Sequence, residues 1–163
     1  MSLQKNKKIF ALVCFYTATK GGNGAAEVSL SLFNSIKEKK KIFEINDKCI
    51  DYNFFKFFYK LFHIIKFIYQ INYFFKKSKK KIIIIEGASW AGYSFIFFIL
   101  SKIFLKKAII IYHSHNIEYD IRKNKNNNII IISLTKLFEK CLYKYCNFST
   151  AVSLIDKIRI KKL

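Results

Sequence analysis

The chain has 163 residues, with 30 Lys plus Arg against 10 Asp plus Glu, a formal net charge of +20 at pH 7, and 52% apolar residues. That apolar content excludes a disordered chain, and zero Pro with five Gly excludes collagen-like and Pro-rich linker architectures. The length holds one domain, burying roughly two thirds of its unfolded surface, and leaves no room for two full α/β domains.

Such charge ordinarily indicates nucleic acid or an anionic membrane surface. Only Arg122 and Arg159 are arginine, the side chain that forks onto guanine edges and phosphates, so no nucleic-acid partner is expected. Lys, Ile, Asn, Phe and Tyr are abundant while Pro, Gly, Ala and Arg are scarce, which an A/T-rich coding bias also produces. Part of the charge is therefore compositional. Cys14, Cys49, Cys141 and Cys146 form no CxxC pair and read as small buried hydrophobes of a reducing compartment. The start, MSLQKNKK followed by IFALVCFY, imitates a secretory signal, but the apolar run is short and no A-x-A site follows. The longest apolar candidate for a membrane span, Tyr93 to Leu105, is interrupted by Lys102 and falls short of the roughly 18 residues required.

In chain order, Ile9 to Tyr16 is a continuous apolar run with strand character, broken by TATKGGNG. Ala25 to Lys37 places Val28, Leu32 and Ile36 at helical spacing. Lys41 to Asn46 reads as a second strand, Asn53 to Lys77 as a long helix, Ile82 to Glu86 as a third strand and Tyr93 to Leu105 as a helix apolar nearly all round. Ala108 to Tyr112 gives a fourth strand, Ile130 to Tyr145 an amphipathic helix and Phe148 to Val152 a fifth strand. Apolar strands alternating with helices predict an α/β fold: a Rossmann-like parallel sheet of about five strands with helices on both faces. Ligands of such sheets sit beyond the carboxyl ends of the strands, which directs attention to TATKGGNG, NDKC, GASWAG, HSHNIEYD and SLID.

Gly21, Gly22, Asn23 and Gly24 precede the first helix, where backbone N–H groups meet a phosphate without Cβ obstruction, or simply make a turn. A dinucleotide fingerprint is incomplete: Glu27 stands where its third glycine belongs, Thr17 to Lys20 lengthen the loop, and only Glu44 suits the ribose acid. His113 and His115 share one side of a strand end, and Glu118 or Asp120 would add an acid. A metal site requires a further ligand from another strand, and His63 lies in the long helix, so no metal is expected. One of the two histidines instead contacts a polar ligand or donates a proton, or both hydrogen-bond the loop. Lys56, Lys60, His63, Lys66 and Gln70 form a narrow polar stripe on a helix otherwise aromatic and aliphatic. That is the composition of a helix in a membrane interface, or of a core helix with a solvated lysine ridge. The run from Lys76 to Lys81 adds attraction for anionic lipid.

Together, the glycine loop with Ala25 and Ala26, the His115-Asn116 step followed by Glu118, and Val152-Ser153 before a helix resemble the amino-terminal domain of glycosyltransferase family 4. That resemblance covers nearly the whole chain. It implies half of a retaining GT-B enzyme of polysaccharide or lipid-linked glycan synthesis, using a nucleotide-sugar co-substrate and neither cofactor nor metal. The Gly21 to Gly24 loop would lie near the donor diphosphate and the acceptor. His115 or His113 would be catalytic and face the transferred sugar, while Asn116 and Glu118 contact sugar or acceptor. Lys56, Lys60 and Lys66 would face an anionic membrane, the protein being cytoplasmic and peripheral on the inner face. The family's donor-binding domain, with its paired glutamates, has no counterpart among Glu27, Glu38, Glu44, Glu86, Glu118 and Glu139. The expectation is therefore a truncated or split subunit, inactive without a separate donor-binding chain. The alternative is a non-catalytic peripheral membrane domain of the same fold.

Overall fold

A computed structural model describes residues 8–19, 24–46, 53–76, 78–125 and 128–161. Its elements run β1 (Lys8–Cys14), α1 (Gly24–Ser35), β2 (Lys39–Glu44), α2 (Asn53–Phe74), β3 (Lys80–Glu86) and α3 (Ala91–Phe104). There follow β4 (Ile109–Ser114), α4 (Glu118–Asn124), α5 (Ile129–Tyr145), β5 (Phe148–Ala151) and α6 (Leu154–Ile160). The five strands form one parallel sheet in the order β2-β1-β3-β4-β5, so the expected Rossmann-like α/β architecture is present.

Alternation along the strands divides the core between the two faces. Ala11, Val13, Ile83, Ile85, Ile110 and Tyr112 point to one side, where Ile64, Phe67, Ile68, Ile71 and Phe75 of α2 and its end meet them together with α3 and α5. The spacing of those α2 residues is that of one helical stripe. Leu12, Cys14 and Ile84 point to the other side, where Leu32, Phe33 and Ile36 of α1 and the residue after it cover them. Helices thus lie on both faces, but α1 shields only half of its own. Over β4 and β5 that face leaves Ile109 and Phe148 open to solvent.

Helix ends are closed by local polar groups. Lys40 Nζ donates to the carbonyls of Phe33, Asn34 and Ile36 at 2.7, 3.3 and 2.8 Å, placing a cation at the negative end of α1. Ser153 caps α6, accepting from Asp156 N at 3.0 Å and donating to Asp156 Oδ2 at 2.6 Å, which gives the Val152-Ser153 step a structural role. The segment after His115 was expected as a loop, yet it forms α4. Glu118 and Asp120 in its first turn and Arg122 and Lys123 in its last complement the helix dipole. The segment is too short for periodicity to reveal it.

β1 stops at Cys14 rather than Tyr16 because the chain turns there onto Glu44. The carboxylate of Glu44 accepts from the backbone N–H groups of Ala18 and Thr19, both at 2.8 Å, and from the Thr19 hydroxyl. Glu44 therefore anchors the loop after β1 and is not presented as a ribose acid. Of the cysteines, Cys14 is buried while Cys141 and Cys146 are half-buried, and all three are free thiols. Cys49 lies outside the described residues.

Gly87, just after β3, has a packing requirement. A Cβ there would stand 2.7 Å from the Tyr112 hydroxyl oxygen and 3.0 Å from the His113 carbonyl oxygen, and the Tyr112 ring is fully buried. Gly87→Ala is expected to destabilise the fold by about 1–3 kcal/mol, the ordinary cost of overpacking, as measured by urea unfolding.

Candidate functional site

The site is built on strand register. Glu86, last in β3, pairs across the sheet with His113 of β4, and His113 pairs with Thr150 of β5. Paired residues of parallel strands project to the same side, so one polar row crosses the carboxyl end of the sheet on the α1 face. His115, two residues after His113, joins the row, its ring 5.2 Å from the His113 ring centre to centre.

Glu86 is completely buried. Its Oε2 accepts from Ser29 Oγ at 2.9 Å, and His115 Nε2 is hydrogen-bonded to the same oxygen. The Tyr16 hydroxyl lies 2.5 Å from Ser29 Oγ, extending the chain of polar contacts to the loop after β1. Burial raises the Tyr16 hydroxyl and the Cys14 thiol far above their ordinary pKa values, so both are held neutral beside the carboxylate. His113 Nδ1 is 2.7 Å from Thr150 Oγ1, and desolvation lowers the pKa of this imidazole. Two buried atoms of the cluster, Glu86 Oε1 and His113 Nε2, have no hydrogen-bond partner among the described residues. An unsatisfied buried polar atom costs on the order of 1–3 kcal/mol.

Beside this row lies a cleft of about 420 Å³ lined by Gly87, Ala88, Ser89 and Trp90 of the loop after β3 and by Asn116, Glu118, Ile121, Arg122 and Lys125. Hydrogen bonds fix its walls: Gly87 N to the His113 carbonyl at 2.8 Å, Ser89 Oγ to the Phe15 carbonyl at 3.1 Å, and Trp90 Nε1 to Thr135 Oγ1 at 3.1 Å. Asn116 is exposed at the rim. Glu118 lines the cleft with its carboxylate already engaged, accepting from Ala91 N at the start of α3 and from Arg122 Nε at 2.7 Å. Burial raises the Glu118 pKa, with Arg122 opposing it. Asp120 instead pairs with Arg159 of α6 at 3.0 Å.

The expected site residues thus separate. His113, His115, Asn116 and Glu118 come together at the sheet mouth. Gly21, Gly22 and Asn23 lie outside the described residues, and Gly24 opens α1. Among the described residues no contact demands glycine at 24: a Cβ there would meet nothing within 4 Å. Lys56, Lys60 and Lys66 stand far along the chain on α2. Lys66 is exposed, Lys56 and Lys60 are half-buried, and Lys60 Nζ lies 5.2 Å from the centre of the Tyr93 ring. The large apolar side chains of α2 exposed to solvent are Phe55, Phe58, Phe62, Ile65, Tyr69 and Tyr73 among the described residues. His63 contacts the Tyr59 carbonyl within the helix and takes no part in the site.

Sequence reasoning missed Glu86 and Ser29. Glu86 is the acid from another strand that the His113–His115 pair lacked, and one atom from each of the three residues lies within 4.8 Å of the others. A signal existed in the carboxylate ending an unbroken run of isoleucines, one strand away from a histidine at the corresponding end. Comparison with protein-family models, curated proteins and solved structures finds no match to this chain.

A second buried acid holds α4. Glu139 of α5 accepts from Glu118 N at 2.7 Å and Tyr119 N at 3.0 Å, and burial pushes its pKa up to about 7 from 4.5. An acid with a raised folded-state pKa binds its proton more tightly when folded, so the stability it confers is full at low pH and declines between those two values. The stability advantage of wild type over Glu139→Ala is therefore expected to narrow by roughly 2–3 kcal/mol across that interval, read from urea unfolding over pH 4–8. A difference that stays constant with pH contradicts the assignment.

Proposed function

We propose that this chain is the acceptor-side domain of a retaining, nucleotide-sugar-dependent glycosyltransferase acting on a polysaccharide or lipid-linked acceptor, with the nucleotide contacts completed by a second α/β domain. The observation that supports this most is the convergence of His113, His115 and Asn116 beside a polar cleft at the carboxyl end of a parallel sheet. Glycosyl transfer needs a departing diphosphate to be stabilised and sugar hydroxyls to be held by fixed polar groups. Backbone N–H groups at the start of α1 suit the first task, and among the described residues nothing lies within 4 Å of a Cβ placed at Gly24. Asn116 at the rim and the two imidazoles suit the second. Glu118 acts on this reading by positioning, since its carboxylate ties α4 to α3.

The test is a titration of the isotope-labelled chain with a uridine diphosphate sugar, followed by NMR. Shifts are expected at Gly24 to Ala26 and at His115 to Glu118. Gly24→Ala should leave stability within about 0.5 kcal/mol and weaken binding about tenfold or more, in contrast to Gly87→Ala. Shifts confined to surface lysines, or none at millimolar ligand, overturn the reading. In transfer reconstituted with a donor-binding domain, His115→Ala is expected to lower kcat by a factor of about 100 or more while leaving lipid association intact.

The outward face of α2 favours a membrane surface as the place of work. Among the described residues no helix is long and apolar enough to cross a membrane. Yet Phe62, Ile65, Tyr69 and Tyr73 are 64%, 64%, 78% and 75% exposed in one stripe, with Lys66 and Lys76 beside them. A wide aromatic stripe flanked by lysine is the arrangement of an interfacial helix, and anionic headgroups add Coulombic attraction. Replacing Phe62 and Tyr69 together by serine is expected to reduce co-sedimentation with phosphatidylglycerol-containing vesicles severalfold. Unchanged sedimentation counts against it.

A further inference from the structure

We propose that Glu86, His113 and His115 form a binding site for one divalent first-row transition-metal ion. The claim shares its location with the transferase reading and does not depend on it; the resemblance noted above implies metal-free chemistry.

Four observations carry the proposal. First, two imidazoles and one carboxylate each offer one ligand atom, all within 4.8 Å of one another. Tetrahedral bonds of about 2.0–2.1 Å separate ligand atoms by about 3.3 Å, so side-chain rotations of the order of an ångström close the site. Second, the backbone that carries the ligands is rigid: Glu86 and His113 are register partners on neighbouring inner strands, and Ser29 fixes Glu86 from α1. Third, among the described residues two buried polar atoms of the cluster have no hydrogen-bond partner, Glu86 Oε1 and His113 Nε2; both are of a kind that ligates metal, and Glu86 is fully buried. Structural hydrogen bonding accounts for Oε2 and leaves those two unexplained. Fourth, His113 has the outer partner that metal-bound histidines have. His113 Nδ1 lies 2.7 Å from Thr150 Oγ1, and in the tautomer that donates Nδ1–H to that oxygen Nε2 keeps its lone pair for a metal ion.

Two histidines and a carboxylate are a ligand set for zinc or ferrous iron, and three protein ligands leave a coordination position for water or a substrate oxygen. On uptake the ion takes the place of the hydrogen bond between His115 Nε2 and Glu86, the neutral imidazole then carrying its hydrogen on Nδ1. Thr150, exposed on the edge strand β5 and paired in register with the half-buried His113, marks the side from which an ion would enter.

The test uses the full chain without an affinity tag, stripped of metal and then titrated with Zn²⁺ and, separately, Co²⁺. One equivalent of Zn²⁺ is expected to survive dialysis, and Co²⁺ should give visible absorption bands of low-coordinate nitrogen and oxygen ligation. His113→Ala should lower Zn²⁺ affinity at least tenfold in competition with a chromogenic chelator, its fold checked by circular dichroism. Thr150→Val, at an exposed position of an edge strand, keeps the test open if His113→Ala does not fold, and should weaken Zn²⁺ about tenfold through the lost orienting bond. No retained Zn²⁺ in wild type, or wild-type affinity in a folded variant, overturns the proposal. A chain that binds Zn²⁺ yet gives no shifts with the sugar nucleotide sinks the transferase reading and leaves the metal site standing.

Discussion

A carboxylate buried at the end of an all-isoleucine strand is the constraint around which the rest of this molecule is arranged. Glu86 is withdrawn from water, and a buried carboxylate is tolerated only with hydrogen-bonding partners. Those partners come from three separate parts of the chain: Ser29 from the first helix, Tyr16 through Ser29 from the loop after β1, and His115 from the loop after β4. Bonding to one carboxylate oxygen thereby draws a helix and two loops to one point. The hydrophobic core supplies the driving force for the sheet, while this polar junction sets how the loops above it are placed.

The same device recurs. In a chain with so large a positive charge acids are scarce, yet four of its glutamates work at this end of the sheet. Glu44 holds the loop after β1, Glu118 ties the start of α3 to Arg122, and Glu139 closes the start of α4. Each accepts backbone N–H groups that a helix start or turn leaves unsatisfied. Lysines occupy the solvated surface, where net charge has little to say about fold. The acids consequently report the architecture of the functional end far better than the bases do.

Helix α2 has two apolar faces. One, through Ile64, Phe67, Ile68 and Ile71, lies on the sheet and is paid for in full by burial. The other, through Phe62, Ile65, Tyr69 and Tyr73, is exposed and exceeds what a solvated helix requires. Of the lysines expected to face outward, Lys66 flanks this stripe while Lys56 and Lys60 are half-buried, Lys60 over the Tyr93 ring of α3, because alignment on the sheet is dictated by the buried stripe. Position on a helical wheel follows from that alignment and not from charge.

The sequence by itself determined the alternation of strands and helices and the parallel sheet. Apolar periodicity and strand-breaking loops are local signals, and the hydrophobic effect acts on them without reference to distant residues. The histidine pair, Asn116 and Glu118 were legible as polar residues at a strand mouth. Tertiary structure alone decided which groups they meet. Glu86 lies 27 positions before His113 and becomes its neighbour only through the β3–β4 register, and Ser29 reaches Glu86 only because α1 packs on that face. Glu118 looked free for a ligand until α3 and Arg122 were seen to occupy its oxygens. Contacts between residues far apart in sequence depend on register and packing angle, which no local pattern of residues encodes.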